Sequence, residues 1–465
     1  MAFTPERLFV AVEDCLRGLA PAPAGLCVAL SGGLDSTVLL AALARIRDVA
    51  SMPPLRAIHV DHGLHADAPQ WARACAALCD RLAVPYAQVS VDARPAPGES
   101  PEAAARSARY TALSRGLGDH EVLVTAHHAD DQIEGILLQW LRGGGLRAVA
   151  GMPRVAPFGS GWHARPLLGF TREELRAWGE HEGLAWLEDP SNIDPRFDRN
   201  YLRMEILPAV RHRWPAAART VARVARHATE ALEVESTIAQ ADLESVARGA
   251  TLSLDALVRL SDARQRLVLR AWLRQLGLPV PSERTLAALR HDMLQAADDR
   301  VPRVNWPGAV VHRYRHHLHA LGAAEDAATI AGGSWPVESA FDLGSLGRLT
   351  LKPATGVGLR REGLPSVLRV DSRTGGEVFR PAGSAHRRPL RKWLQERGIL
   401  PWRREQLPLV RAGEEIAAIG DIAYGASYAA GAGEPSWRIA WEGRPALTES
   451  EAMGPAEVAG KGAFR

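Results

Sequence analysis

Cysteine is scarce in this 465-residue chain: there are four, Cys15, Cys27, Cys75 and Cys79, and none stands in a CxxC pair. A disulfide framework and a zinc ribbon are thereby excluded, and a redox mechanism has little to work with. Lysine is scarcer still, with only Lys352, Lys392 and Lys461 among 56 basic residues. A Walker-type phosphate loop, which needs a lysine, is ruled out, and no lysine before position 352 can touch a phosphate. No apolar run approaches the roughly 20 residues that cross a bilayer, and no repeat of fixed period is present. Met1 to Leu19 mixes Glu6, Arg7, Glu13, Asp14 and Arg17 among apolar residues, the pattern of an amphipathic helix and not of a signal peptide. A cytoplasmic location without a membrane partner is the expectation.

What is present suits a globular chain of about three domains: 46% of residues are hydrophobic and 23% charged. The formal charge of +3 is unevenly spread. Residues 1–198 hold 18 arginines against 24 acidic residues, a net of −6, and residues 199–465 hold 38 basic and 29 acidic, a net of +9. The basic half has the electrostatic footprint of a polyanion binder. From residue 25, short apolar runs (Leu26–Leu30, Leu55–Val60, Val84–Val91, Val122–Ala126) alternate with helical patterns, which predicts an α/β domain built on a parallel sheet over residues 1–215. Helical periodicity throughout 216–325 predicts a small helical middle domain. Residues 326–345 read as a linker, 346–445 as a small α+β basic domain and 446–465 as a frayed tail.

The chemistry concentrates in the first domain. Ser31, Gly32, Gly33, Leu34, Asp35, Ser36 and Thr37 follow a strand and open a helix. Glycines there let the chain turn tightly and gather N–H groups at a helix N-terminus, so the loop can hold phosphate without lysine, with Asp35 a candidate Mg²⁺ ligand. His59 ends the second strand. His127 precedes Asp131 and Glu134, which are three residues apart and share one face of a helix that opens where the last strand ends. Such a sheet binds ligands at the carboxyl ends of its strands. Arg199 and Arg203 belong to a run of seven arginines against one glutamate between 199 and 226, and Arg387, Arg388, Arg391 and Lys392 to a second basic cluster that holds Trp393 and Trp402. Both clusters suit the phosphates of a large polyanion. Trp393 also fits core packing on its own helix, and Cys75 and Cys79, one turn apart, read as core.

SGGLDS with its strand–loop–helix setting resembles the PP-loop ATP pyrophosphatase superfamily, which implies an adenine nucleotide alpha hydrolase-like fold. EAAARSARY (102–110), HHADDQIEGILL, RGGG, GMP, RPLL and EDPSNIDPRFDRNYLR, with FRPAGSAHRRPLRKWLQERGILPWRREQLPLV (379–410), resemble the tRNA(Ile)-lysidine synthetase family. Gly135 stands where that family usually has threonine. The resemblance implies a ligase that uses ATP and Mg²⁺ to adenylate C2 of the wobble cytidine in a CAU-anticodon tRNA(Ile). The ε-amine of free L-lysine then attacks, and AMP and pyrophosphate are the by-products. It implies Asp131 and Glu134 as groups that orient and deprotonate the lysine amine, and Arg106 and Arg109 as contacts to tRNA phosphate or cytidine. A PP-loop tRNA thiolase and a noncatalytic nucleotide-dependent tRNA-binding protein are the alternatives; a thiolase would need paired cysteines, and the chain has none. A homodimer is compatible with the sequence.

Overall fold

The computed structural model describes residues 2–47, 52–61, 63, 67–94, 101–188, 198–297 and 300–454. His62 and Leu64 beside the second strand, most of the proline-rich loop and of the EDPSNID segment, and the last eleven residues of the expected tail lie outside them. The chain divides into two compact units, Met1–Val234 and Glu235–Arg465.

The first unit opens with helix α1 (Pro5–Leu16) and then alternates strand and helix: β1 (Gly25–Ala29), α2 (Leu34–Arg47), β2 (Leu55–Asp61), α3 (Ala68–Arg81), β3 (Tyr86–Ser90), α4 (Pro101–Arg115), β4 (Glu121–Val124) and α5 (Ala129–Leu141). After α6 (Leu146–Ala150) come β5 (Val155–Phe158), β6 (Gly161–Ala164) and α7 (Arg172–His181). The sheet order is β3-β2-β1-β4-β6-β5, parallel except that β5 runs against β6. The central strands β1 and β4 are buried on both faces, which explains runs that are apolar and not alternating, whereas edge strand β3 is largely exposed. Leu26, Val28, Val122 and Val124 face the larger core beneath α1 and α2, whereas Cys27 and Leu123 face a smaller one with Leu113 and Leu117 of and after α4. The β5–β6 hairpin is absent from the sequence reading, because its four-residue strands carry no clear period. From Asp198 the chain forms α8 (Asp198–Tyr201), a wide π turn at Leu202–Ile206 and α9 (Leu207–Arg213).

Helix α10 (Ala217–Val246) crosses the boundary between the units. In the second unit the expectation of a wholly helical middle domain is corrected. A five-stranded sheet (Ala247–Arg248, Thr251–Ser253, His317–Gly322, Ala309–Tyr314, Arg303–Trp306, in that order) packs with helices Asp262–Gln275 and Glu283–Gln295. Val310, Val311 and Leu318 are fully buried, and paired short strands of this kind lack the length that separates a strand from a buried helix by pattern alone.

The expected linker is likewise structured: Gly333–Pro336 is a strand paired with Val367–Asp371, and Trp335 is fully buried. The C-terminal part builds five- and four-stranded sheets around Trp335, Phe379 and Trp393, the last on helix Leu390–Glu396 with its ring edge-on to Phe379 at 5.5 Å. Trp402 is stacked on His312 of the middle sheet, centroids 4.3 Å apart and planes 14° from parallel. One face of that ring is therefore already covered. The start of the expected tail is ordered too: Leu447 is fully buried, and Glu449, on helix Glu449–Met453, accepts from His317 Nδ1 at 2.6 Å.

Candidate active site

The strand order reverses between β1 and β4, so the loops leaving these two neighbours diverge and open a crevice at their carboxyl ends. The loop after β1 is Leu30–Gly33. Gly32 has φ +82°, and a Cβ there would approach Cys75 Sγ and Leu187 Cδ1 to 3.0 Å, so both the conformation and the space demand glycine. Ser36 Oγ accepts from Ser31 N at 3.2 Å and donates to Gly33 O at 3.1 Å, tying the loop to the first turn of α2. Thr37 Oγ1 donates to Gly32 O at 3.4 Å. From far along the chain, Leu187 N donates to Gly32 O at 2.9 Å. Buried His59, at the carboxyl end of β2, lies 2.8 Å from Leu30 O through Nδ1 and braces the same loop from behind.

The loop after β4 supplies the ionisable groups. His128 is the N-cap of α5: its Nδ1 accepts from Asp130 N at 3.2 Å and Asp131 N at 3.4 Å, while Asp131 Oδ2 accepts from His128 N at 3.0 Å. Its Nε2 is 3.6 Å from Asp35 Oδ2 and 3.4 Å from Asp131 Oδ2, so one imidazole links the phosphate loop to α5. Burial disfavours the charged ring, but Asp131, Asp35 and Asp130 outweigh it and hold the His128 pKa above its ordinary value. The cap opposes protonation, since an Nδ1 that accepts two N–H groups carries no proton.

Arg199 and Arg203 close the arrangement. Arg199 Nε donates to Glu134 Oε2 and its Nη2 to Asp131 Oδ1, both at 2.8 Å. Arg203 donates to both oxygens of Glu134, at 2.8 Å from Nε and from Nη2. Glu134 is fully buried and takes three charge-assisted hydrogen bonds. Burial works against ionisation of Asp131, yet His128 and Arg199 hold its pKa down to about 2. Asp130 accepts from Arg172 N at 2.7 Å and from Arg211 Nη2 at 2.5 Å. The wide turn at Leu202–Ile206 carries Arg203, which fits the frequent occurrence of such turns at functional sites.

Asp35 Oδ1 is a buried carboxylate oxygen without a hydrogen-bond partner, 3.7 Å from Arg172 Nε. An orphaned anionic oxygen at a phosphate loop fits a divalent cation. Among the described residues no three metal-type ligands cluster. Mg²⁺ is commonly held by one or two carboxylates together with substrate phosphates, a demand that Asp35 beside the phosphate loop can meet.

Three family models match the chain: a PP-loop domain over residues 12–210, a TilS substrate binding domain over 252–319 and a TilS substrate C-terminal domain over 368–441. The tRNA(Ile)-lysidine synthase of Methylococcus capsulatus is 41% identical over 88% of this chain and 93% of its own. That of Alkalilimnicola ehrlichii is 41% identical over 95% and 98%. This chain belongs to the tRNA(Ile)-lysidine synthase family. Among solved structures, the U34-tRNA thiolase NcsA from Methanococcus maripaludis covers 48% of this chain and 79% of its own, with 18% identity and a TM-score of 0.40.

In this family member the structure brings Ser31–Thr37, Asp35, Asp131, Glu134, Arg199 and Arg203 to one crevice, with His59 behind the loop. Arg106 is exposed and Arg109 half-buried on α4, with their guanidinium carbons 5.0 and 5.7 Å from the Tyr110 ring. Arg387, Arg388, Arg391 and Lys392 lie in the second unit. Arg387 pairs with Glu415 and Arg388 with Glu396, whereas exposed Arg391 and Lys392 have no ion pair among the described residues. The sequence places His128 and Asp130 in the polar segment at the sheet's binding edge without giving them a role, and Arg172 carries no signal there at all. Histidine is not among the usual helix caps, so its presence before ADD carried no start signal.

Proposed function

We propose that the chain converts the wobble cytidine of a CAU-anticodon tRNA(Ile) to lysidine, adenylating the base with ATP and then joining free L-lysine through its ε-amine. The observation that carries the reading is the meeting, in one crevice, of a lysine-free phosphate loop and the carboxylate–arginine cluster of Asp131, Glu134, Arg199 and Arg203. The loop amides and the N-terminus of α2 would hold the ATP phosphates, with Asp35 holding Mg²⁺ through the oxygen that takes no hydrogen bond. Bound there, the ion would supply charge neutralisation as pyrophosphate leaves. No residue of the chain needs to act as a nucleophile.

The second half-reaction needs an amine that is oriented and then deprotonated, since free lysine has a side-chain pKa of about 10.4. Asp131 and Glu134 are proposed for this role, and Arg199 and Arg203 hold both carboxylates at fixed positions. Asp131 is the better placed to meet an ammonium, because Glu134 is fully buried beneath the arginines. Arg391 and Lys392 are proposed to meet tRNA phosphate directly, and Arg387 and Arg388 on release from their glutamates. The test incubates the enzyme with ATP, Mg²⁺, labelled lysine and CAU-anticodon tRNA(Ile), then digests the tRNA. Labelled lysidine at the wobble position is expected; pyrophosphate release without label in the tRNA overturns the proposal.

A further inference from the structure

A chain of polar groups at the carboxyl ends of β4 and β6 has no task in the reading above. Arg165 Nη2 lies 2.9 Å from His163 Nδ1, His163 Nε2 lies 2.8 Å from Thr125 Oγ1, and Thr125 Oγ1 lies 2.7 Å from His127 Nδ1. Thr125 and His163 are buried. Tyr110 and Phe158 flank the His163 ring at 5.9 and 5.6 Å, and Arg165 is anchored by Nη1 on Pro153 O at 2.9 Å.

Proton counting gives this chain one direction. A guanidinium only donates, so His163 Nδ1 must accept and a neutral His163 carries its proton on Nε2. That proton is donated to Thr125 Oγ1, whose single hydroxyl proton is then available for His127 Nδ1. A hydroxyl could also accept from both rings, but among the described residues its proton has no other acceptor, so it goes to His127 Nδ1 and His127 carries its own proton on Nε2. Charge supports the assignment. Burial, with Arg165 and His127 adding to it, pushes His163 down to about 3; burial also outweighs Asp131 and, with Arg165 and Arg199, pushes His127 down to about 4. Both rings are neutral at pH 7. His127 is half-buried, and among the described residues its Nε2 has no hydrogen-bond partner, which leaves that nitrogen for a ligand. Its neighbour in sequence, His128, reaches Asp35 of the phosphate loop.

We infer that Arg165, His163 and Thr125 are positioning residues that hold His127 with its proton on Nε2, as a neutral N–H donor for an oxygen of the bound nucleotide. The nucleotide end rests on the function proposed above; the tautomer does not. A fixed donor costs no reorganisation when charge develops on that oxygen, and loss of one such donor typically slows a reaction 10²–10³-fold. Loosening the tautomer without deleting the ring should cost part of that.

The test is two-bond proton–nitrogen correlation spectroscopy on the full-length enzyme with ¹⁵N-labelled histidine, His127 being assigned by comparison with His127→Gln. Wild type and Thr125→Ser should show Nε2–H at pH 7, and Thr125→Val, which keeps the shape but has no hydroxyl, should lose that single tautomer. In the same variants kcat for pyrophosphate release should fall about ten-fold or more for Thr125→Val, with KM for tRNA unchanged, and stay within about two-fold for Thr125→Ser. Nδ1–H or an imidazolium in the wild type overturns the inference even if Thr125→Val fails to fold, and so does a folded Thr125→Val enzyme with unchanged kcat. An enzyme that shows Nε2–H yet forms no lysidine sustains the relay and overturns only the substrate assignment.

Discussion

Replacing Glu134 by glutamine tests the carboxylate–arginine cluster most directly. The change removes one charge from a fully buried side chain and converts one accepting oxygen into a donor that faces a guanidinium. Truncating one partner of a buried ion pair costs about 3–5 kcal/mol, because the partner is left uncompensated. Here the side chains of Arg199 and Arg203 are 31% and 24% exposed, so water can take over part of their solvation, and Asp131 still accepts from Arg199. The expected loss is therefore at the low end, about 2–3 kcal/mol. For a unit of the size of Met1–Val234, each kcal/mol lowers Tm by about 2–4 °C, so calorimetry should show its transition about 4–12 °C lower. The phosphate loop makes none of its hydrogen bonds to Glu134, so pyrophosphate release should continue while lysidine formation slows. The exposed pair Arg226–Glu230 is the control: Glu230→Gln should leave Tm nearly unchanged. A Glu134→Gln enzyme with wild-type Tm, or with equal losses in both half-reactions, would refute this reasoning.

Asp35→Asn should leave the fold intact and cut pyrophosphate release about 100-fold or more, since the orphaned oxygen loses its charge; near-wild-type turnover removes Asp35 from the reaction. Neutralising Arg387, Arg388, Arg391 and Lys392 together should flatten the salt dependence of tRNA binding by up to about 0.9 per phosphate contact without changing ATP affinity; unchanged affinity and slope would locate recognition elsewhere. Acid should destabilise the first unit early: His127 and His163 have folded pKa values of about 4 and 3, below the unfolded value of about 6.5, so the unfolded state takes up protons first as pH falls. Stability should drop by up to about 1.4 kcal/mol per pH unit for each histidine between about pH 6 and 4, and a flat denaturation profile over that range contradicts it. Ending the chain near Gly333 should destabilise what remains, because the middle sheet loses Trp402 from His312 and Glu449 from His317; an unchanged transition for that sheet would show these contacts to be idle.

Much of the first unit was legible in the sequence because its chemistry is local. Ser31–Thr37 needs a strand, a glycine turn and a helix start within a few residues, and all three are written consecutively. The parallel sheet followed from apolar runs at even spacing. What stayed hidden depends on partners distant in sequence. The sequence sets Asp131 and Glu134 on one helix face as carboxylates for the lysine amine, but only folding brings Arg199 and Arg203, some 65 to 72 residues away, onto them. Thr125, His163 and Arg165 are ordinary residues until adjacent strands align them. The middle sheet was mistaken for helix because strands of two to six residues carry too few periods to count, and Trp335 was assigned to a linker because one buried aromatic among glycines leaves no pattern.

The bridge between Gly33 and Leu187 bears on how the protein is made. The two residues are 154 positions apart (187 minus 33), and Leu187 N holds the Gly32 carbonyl in place. At ribosomal speeds of about 5–20 residues per second, roughly 8–30 s pass between synthesis of the loop and synthesis of the residue that anchors it. During that interval the loop has its local ties to Ser36 and His59 but lacks the clamp on the turn, so the cradle for ATP is incomplete. Nucleotide thus cannot guide the early stages of folding and can only stabilise the domain once most of it has been made. A ribosome-bound fragment stalled before Leu187 emerges should accordingly show no protection by ATP against proteolysis, whereas one stalled well beyond it should.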